Sequence, residues 1–171
     1  MDELNIPTTV SGRVTAQLEM AEPGVFESKD TTPYGQEGFS KKTEAKDMEK
    51  PYLIITSEQV TKEYLEYLDN QNISWIACGK EKIDLVRAAE ILKEEFHVEK
   101  MGIVGGPKIN TAFLDAGLLD EISILIGPGI DGREEMPSVF DGRSMNHELT
   151  HLKLMDVKRF DSDAIWIRYR L

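Results

Sequence analysis

The sequence predicts an α/β domain whose mostly parallel central sheet ends in an antiparallel strand pair. Three observations carry this prediction. From Pro51 onward, short apolar, β-rich runs alternate with stretches of helical spacing. A strand, a helix and a further strand in succession imply a parallel pair joined by a right-handed crossover. The last two apolar runs are separated only by a short polar stretch, as in a hairpin.

Each element has its own signal. Residues 52–56 are short, apolar and rich in β-branched side chains, as in a buried strand. Residues 58–68 place Val60, Tyr64, Leu65 and Leu68 at helical spacing, and residues 73–77 form a second strand. Residues 83–96 carry Ile83, Val86, Ala89, Ile91, Leu92 and Phe96, an amphipathic helix. Residues 101–104 are a third strand and 110–116 a short helix, with Gly117 placed to end it. Residues 122–126 are a fourth strand, and 151–157 with 165–169 form the hairpin. Trp75 and Trp166 fall in apolar runs and read as core. Before residue 50 the chain is polar. Residues 13–22 suit a short helix, with Ser11 as its N-cap. Residues 23–50, with Pro23, Gly24, Pro33, Gly35 and Gly38, read as one long loop.

Composition narrows the function classes. The length of 171 residues fits one domain spanning 1–171. A net charge of −11 argues against broad binding to nucleic acid or anionic lipid, because both need a basic surface. The longest apolar runs are too short to cross a membrane. The acidic start, Met1-Asp-Glu-Leu-Asn5, lacks the order of a signal peptide. The single cysteine, Cys78, permits no intramolecular disulfide, and a cytoplasmic location is the default expectation. His97, His147 and His151 show no metal-ligand spacing with each other or with Cys78, so no metal is expected.

The segment richest in chemistry is Met101-Gly-Ile-Val-Gly-Gly-Pro-Lys-Ile-Asn110. A strand runs into two glycines and then a helix. Gly105 and Gly106 remove side chains where the backbone turns, and they let an anion approach the amides at a helix N-terminus. Pro107 suits a first helical position, and Lys108 could add charge for a phosphate. A plain strand-to-helix turn would use the same residues. Thr56 and Ser57 lie at a strand's carboxyl end, where open sheets bind ligands. Ser57 serves equally as an N-cap for a helix starting at Glu58. Gly79 and Lys80 follow the next strand in the same way, or form a surface turn. Asp120 and Glu121 suit capping or interface pairing better than acid–base chemistry.

The stretch from Gly105 through Gly-Leu-Leu-Asp120-Glu121 to Pro128, with Ser138-Val-Phe-Asp-Gly142 and the final Ile165-Trp-Ile-Arg-Tyr-Arg170, resembles the reductase domain of bifunctional riboflavin-biosynthesis enzymes. The resemblance spans residues 51–171. Ser11-Gly-Arg-Val-Thr15 resembles that family's Gly-Arg-x-Thr element. The resemblance implies the dihydrofolate-reductase-like three-layer fold, NADPH as hydride donor, a pyrimidine-like or other heterocyclic substrate, and a homodimer. It implies that Gly12, Arg13, Thr15, Thr56, Ser57, Gly79, Gly105, Gly106, Pro107, Lys108 and Ile109 meet the cofactor. Arg13 brings a planar fork suited to phosphate. The catalytic residues stay unassigned.

The chain departs from the pattern twice. Family members begin with a strand carrying a Ser-x-Asp-Gly-type element, and nothing before Ser11 resembles it. The chain is therefore expected to lack that N-terminal strand. The riboflavin branch tends to carry a carboxylate just before the glycine pair, where this chain has Val104. Two functions follow: an NADPH-dependent reductase, or a nucleotide-binding or dimerisation module that has lost its active site.

Overall fold

A computed structural model describes residues 4–13, 26–42, 52–136 and 138–171. Its elements run β1 (Thr8–Val10), β2 (Gly38–Ser40), β3 (Leu53–Thr56), α1 (Lys62–Asn70), β4 (Ser74–Ala77), α2 (Leu85–Glu94), β5 (Met101–Ile103), α3 (Pro107–Asp115), β6 (Glu121–Ile126), β7 (Lys153–Arg159) and β8 (Ile165–Arg170). The chain forms two compact units, residues 1–9 with 16–102 and residues 10–15 with 103–171.

The first unit is a sheet with a helix on each face. β4 lies centrally, parallel to β3 and antiparallel to β2. Side chains alternate across a strand, so Trp75 and Ala77 face one way and Ile76 and Cys78 the other. Trp75, Ala77 and Ile54 pack with Leu65 and Leu68 of α1. Ile76, Cys78, Leu53 and Ile55 pack with Ala88, Ile91 and Leu92 of α2. Burying each large aliphatic side chain contributes about 1.5–3 kcal/mol.

Both helices start on side-chain caps. Thr61 Oγ1 accepts from the Tyr64 amide at 3.2 Å, and Asp84 Oδ1 accepts from the Arg87 amide at 3.0 Å. α1 therefore begins at Lys62, four residues later than expected, and Ser57 does not cap it. In α2 the inward positions are Ala88, Ile91 and Leu92, while Ile83 and Val86 are exposed.

Residues 23–50 are not an unbroken loop. Gly38–Ser40 pairs with β4 as an edge strand, because a polar frame fixes the chain on either side of it. Glu63 Oε2 accepts from Ser28 Oγ at 2.8 Å and from the Lys29 amide at 2.7 Å. Arg87 holds both Glu37 oxygens at 3.0 Å, and Asp69 Oδ1 takes Ser40 Oγ, Trp75 Nε1 and Lys42 Nζ. Such polar frames leave no periodic mark in a sequence. The expected helix over 13–22 lies outside the described residues, apart from Arg13.

In the second unit β8 is central and antiparallel to both β6 and β7. The expected hairpin is present. β6 differs from expectation: the crossover pattern implied a parallel partner, yet β8 takes its edge. Cross-strand chemistry accounts for this choice. Arg168 holds Glu121 through paired bonds of 2.6 and 2.8 Å, and Trp166 Nε1 donates to Ser123 Oγ at 2.7 Å. Trp166 thus lies on the sheet's polar face, under the Arg168 guanidinium, rather than in a core. β1, a short strand that the sequence did not mark, pairs with β5 just before Ser11. The described residues form a mixed sheet system, parallel only at β3–β4 among the paired strands whose direction is defined.

Candidate functional site

The second unit brings two predicted glycines together. Val104 donates its amide to the Val10 carbonyl at 2.9 Å, which aligns the ends of β5 and β1. The next residues on each strand, Gly105 and Ser11-Gly12, come into contact. A Cβ on Gly105 would stand 2.5 Å from Ile109 Cγ2 and 2.8 Å from the Gly12 nitrogen. No side chain fits there. Ile109 lies over both glycines, its Cγ2 at 3.9 Å from a Cβ built on Gly12. Ile109 therefore packs the two strand ends together.

Gly106 is different. It is the N-cap of α3 with φ −67° and ψ 175°, a conformation open to every residue. A Cβ there would meet nothing within 4 Å among the described residues. Neither backbone nor packing requires glycine at this position. The helix start also lacks a side-chain cap, and Pro107 fills its first position. The Ile109 and Asn110 amides bond the Gly106 carbonyl at 3.2 Å, and the positive end of the helix dipole lies at this start. Lys108 and Arg13 are exposed. Such an end suits an anion that approaches closely. Thr15 lies outside the described residues.

The other end of α3 closes as the sequence predicts. Gly117 has φ +67°, its amide bonds the Leu114 carbonyl at 3.0 Å, and Leu118 bonds the Phe113 carbonyl at 3.0 Å. This paired closure fixes the helix direction.

The first unit groups Thr56, Ser57 and Gly79. The Thr56 carbonyl accepts from the Cys78 amide at 3.0 Å, and the Gly79 carbonyl accepts from the Glu58 amide at 2.9 Å. These bonds continue the β3–β4 ladder beyond its last residues. Gly79 has φ +87°, and a Cβ would stand 2.6 Å from the Asp84 nitrogen. Its glycine is thus required by the turn into α2, whatever else the position does. Ser57 Oγ accepts from the Gln59 amide at 3.4 Å, and Gln59 Nε2 donates to the Lys80 carbonyl at 2.7 Å. Burial, with Asp84 close by, pushes the Cys78 thiol up.

The Glu121 carboxylate does structural work. Glu121 is paired with Arg168, whose guanidinium is held in its charged form by that bond. The Asp120 carbonyl accepts from the Leu171 amide at 3.2 Å. Among the described residues no cluster of His, Cys, Asp and Glu could hold a metal ion, and no helix is long and apolar enough to cross a membrane. One feature was missed in the sequence: residues 138–143 are tied to α3 by side-chain bonds. Asn110 and Thr111, just past the glycine turn, were the available signal.

Comparison with known proteins identifies relatives of the chain. The model of the RibD C-terminal domain matches residues 29–166. A 2,5-diamino-6-ribosylamino-4(3H)-pyrimidinone 5′-phosphate reductase of Aquifex aeolicus is 30% identical over 110 residues, covering 62% of this chain and 48% of that protein. The reductase of the same name from Methanothermobacter thermautotrophicus is 27% identical over 114 residues, 65% of this chain and 50% of that protein. The chain thus spans about half the length of the curated relatives it matches. Among solved structures, a pyrimidine reductase-like protein from Corynebacterium diphtheriae is similar at a TM-score of 0.57 and 24% identity, over 69% of this chain and 49% of that one. A RibD structure from Acinetobacter baumannii is similar at a TM-score of 0.61 and 19% identity, over 95% of this chain and 46% of that one.

Proposed function

Because the chain belongs to the RibD C-terminal domain family, we propose that it is an NADPH-dependent reductase whose α3 N-terminus holds the cofactor's phosphates. The observation that carries this reading is Gly106. Among the described residues its glycine has no conformational or packing reason. Close approach of a ligand to the backbone supplies one. Gly105, Pro107, Lys108 and Ile109 build the turn, Gly12 with Arg13 follows the neighbouring strand end, and Thr15 is assigned to the same cofactor. Thr56, Ser57 and Gly79 lie at or just past the ends of β3 and β4 of the first unit, at the kind of strand end where open sheets bind ligands.

NADPH, when bound, supplies a hydride. The chain's own task is to orient the cofactor and to exclude water from the reacting carbon. The substrate is a pyrimidine-like or other heterocycle, as the names of the relatives suggest. Val104, half-exposed at the end of β5, replaces a carboxylate expected there and gives this wall an apolar character. The fold implied is the dihydrofolate-reductase-like one with three layers, as a single domain in the cytoplasm.

The reading includes a homodimer. Register places Ile126, Ile165, Ile167, Val157 and Leu154 on one face of the second unit's sheet. Leu154 is 54% exposed, Val157 53% and Ile126 48%. An apolar face of this kind favours association, and a second copy is the partner assigned.

The test of the reductase is NADPH oxidation in the presence of a ribosylaminopyrimidine 5′-phosphate. Substrate-dependent oxidation is expected. Tight NADPH binding without any turnover would favour a nucleotide-binding module instead.

A further inference from the structure

Residues 138–143 form no regular element and bury little. Val139 is 47% exposed, and Ser138, Asp141 and Gly142 are exposed. Phe140 is the one partly buried apolar residue here, so burial of apolar surface alone does not hold this segment in place. Side chains of α3 do. Asn110 Nδ2 donates to the Val139 carbonyl at 2.8 Å, and Thr111 Oγ1 accepts from the Asp141 amide at 2.9 Å. Asp115 pairs with Arg143, whose Nη1 also donates to Thr150 Oγ1 at 3.0 Å. The attachment points advance together: 139 at 110, 141 at 111, 143 at 115. The segment therefore runs alongside α3 in the same direction, with its Val139 end nearest the helix start.

Two features set these contacts apart from ordinary loop anchoring. Thr111 is 6% exposed and is, with Ser74, one of the two polar residues buried among the described ones. A buried hydroxyl is destabilising unless paired, and its amide partner comes from this segment. Asn110 Oδ1 is buried and has no hydrogen-bond partner among the described residues. The bond from Nδ2 to Val139 fixes that orientation, so the fold tolerates an unsatisfied acceptor in order to hold Val139. Asn110 lies one turn from the open glycine, since its amide bonds the Gly106 carbonyl at 3.2 Å. Helical side chains tilt toward the N-terminus, which brings Asn110 and its attached segment over the first turn.

We propose that Asn110 and Thr111 are positioning residues of the cofactor site. By fastening residues 139–141 along α3, they set the wall beside the open helix start at Gly106. This inference rests on the reading of α3 as the phosphate-binding helix.

The experiment measures NADPH affinity by fluorescence titration and thermal stability on the whole chain. Thr111→Val keeps the shape and removes the acceptor. Asn110→Ala removes the donor, and Thr111→Ser restores the hydroxyl. Both disruptive variants should weaken NADPH binding by roughly three- to tenfold, the effect of one lost hydrogen bond. Thr111→Ser should bind like the unaltered chain. Lowered stability with unchanged affinity would show a purely structural clamp and overturn the proposal. Should Thr111→Val fail to fold, Asn110→Ala, whose side chain is less buried, decides the matter. Failure of both to fold would also show a structural clamp. An unaltered chain that binds no NADPH is a different result, and it would overturn the phosphate reading itself.

Discussion

The two sheets of this protein are built to opposite ends. β2-β4-β3 is covered on both faces, and its central strand is buried along its whole length. β6-β8-β7 is knit by cross-strand pairs, yet β7 is exposed at nearly every residue. The first sheet is held by its core. The second is held by backbone pairing and side-chain ladders, and it leaves apolar surface exposed. Stability and recognition are thus separated along the chain.

The largest contrast is expected from truncations matched across the two sheets. Ile76 is 0% exposed in the first sheet, and Val157 is 53% exposed in the second. Ile76→Ala should destabilise by about 2–5 kcal/mol, by lost transfer energy and a cavity. Val157→Ala should stay within about 0.5 kcal/mol at low protein concentration. Denaturant midpoints check both, and equal losses would erase the distinction.

The glycine pair repeats the contrast over one residue. Gly105→Ala places a Cβ 2.8 Å from the Gly12 nitrogen, so it should destabilise by about 1–3 kcal/mol. Gly106→Ala meets nothing within 4 Å and should be nearly neutral in the same melt. A destabilised Gly106→Ala would mean that its glycine serves the fold.

The reach of sequence reading follows the same division. Buried strands, amphipathic helices, the Gly117 cap and the hairpin were legible, because periodicity and cap residues report burial directly. The β2 edge, the antiparallel partner of β6 and the strand before Ser11 were not. Each is fixed by contacts between residues far apart in sequence, such as Glu37–Arg87 and Glu121–Arg168. At the site, the glycine pair was visible as a motif, but only geometry separates the packing role of Gly105 from the open position of Gly106. Ser57 was misplaced as a helix cap because two residues further on, Gln59 takes its hydroxyl and the chain turns before Thr61.

A charge on the exposed sheet should sharpen the comparison by removing association and sparing the fold. Val157→Glu should weaken self-association at least about tenfold, ~1.4 kcal/mol. Light scattering should then report monomer for the variant and dimer for the unaltered chain. A monomeric unaltered chain would contradict the assigned partner.

A smaller effect is expected in acid. Burial pushes the Asp69 carboxyl up, but bonds from Lys42, Ser40 and Trp75 outweigh it and leave the group below 3.8. A carboxylate depressed in the folded state stabilises above its unfolded value and loses that contribution as pH falls through the folded one. Thermal melts of Asp69→Asn should therefore differ from those of the unaltered chain at neutral pH. The difference should shrink as the pH drops below 3.8. A gap that stays constant would remove Asp69 from the polar frame around β2.

The central claim is that the open glycine at the start of α3 is kept for a cofactor phosphate. Fluorescence titration of NADPH against the unaltered chain and against Gly106→Val tests it most directly. Saturable binding by the unaltered chain, weakened at least about tenfold in a variant with an unchanged melt, is the expected result. Equal affinity in both folded proteins, or no binding by either, would contradict it.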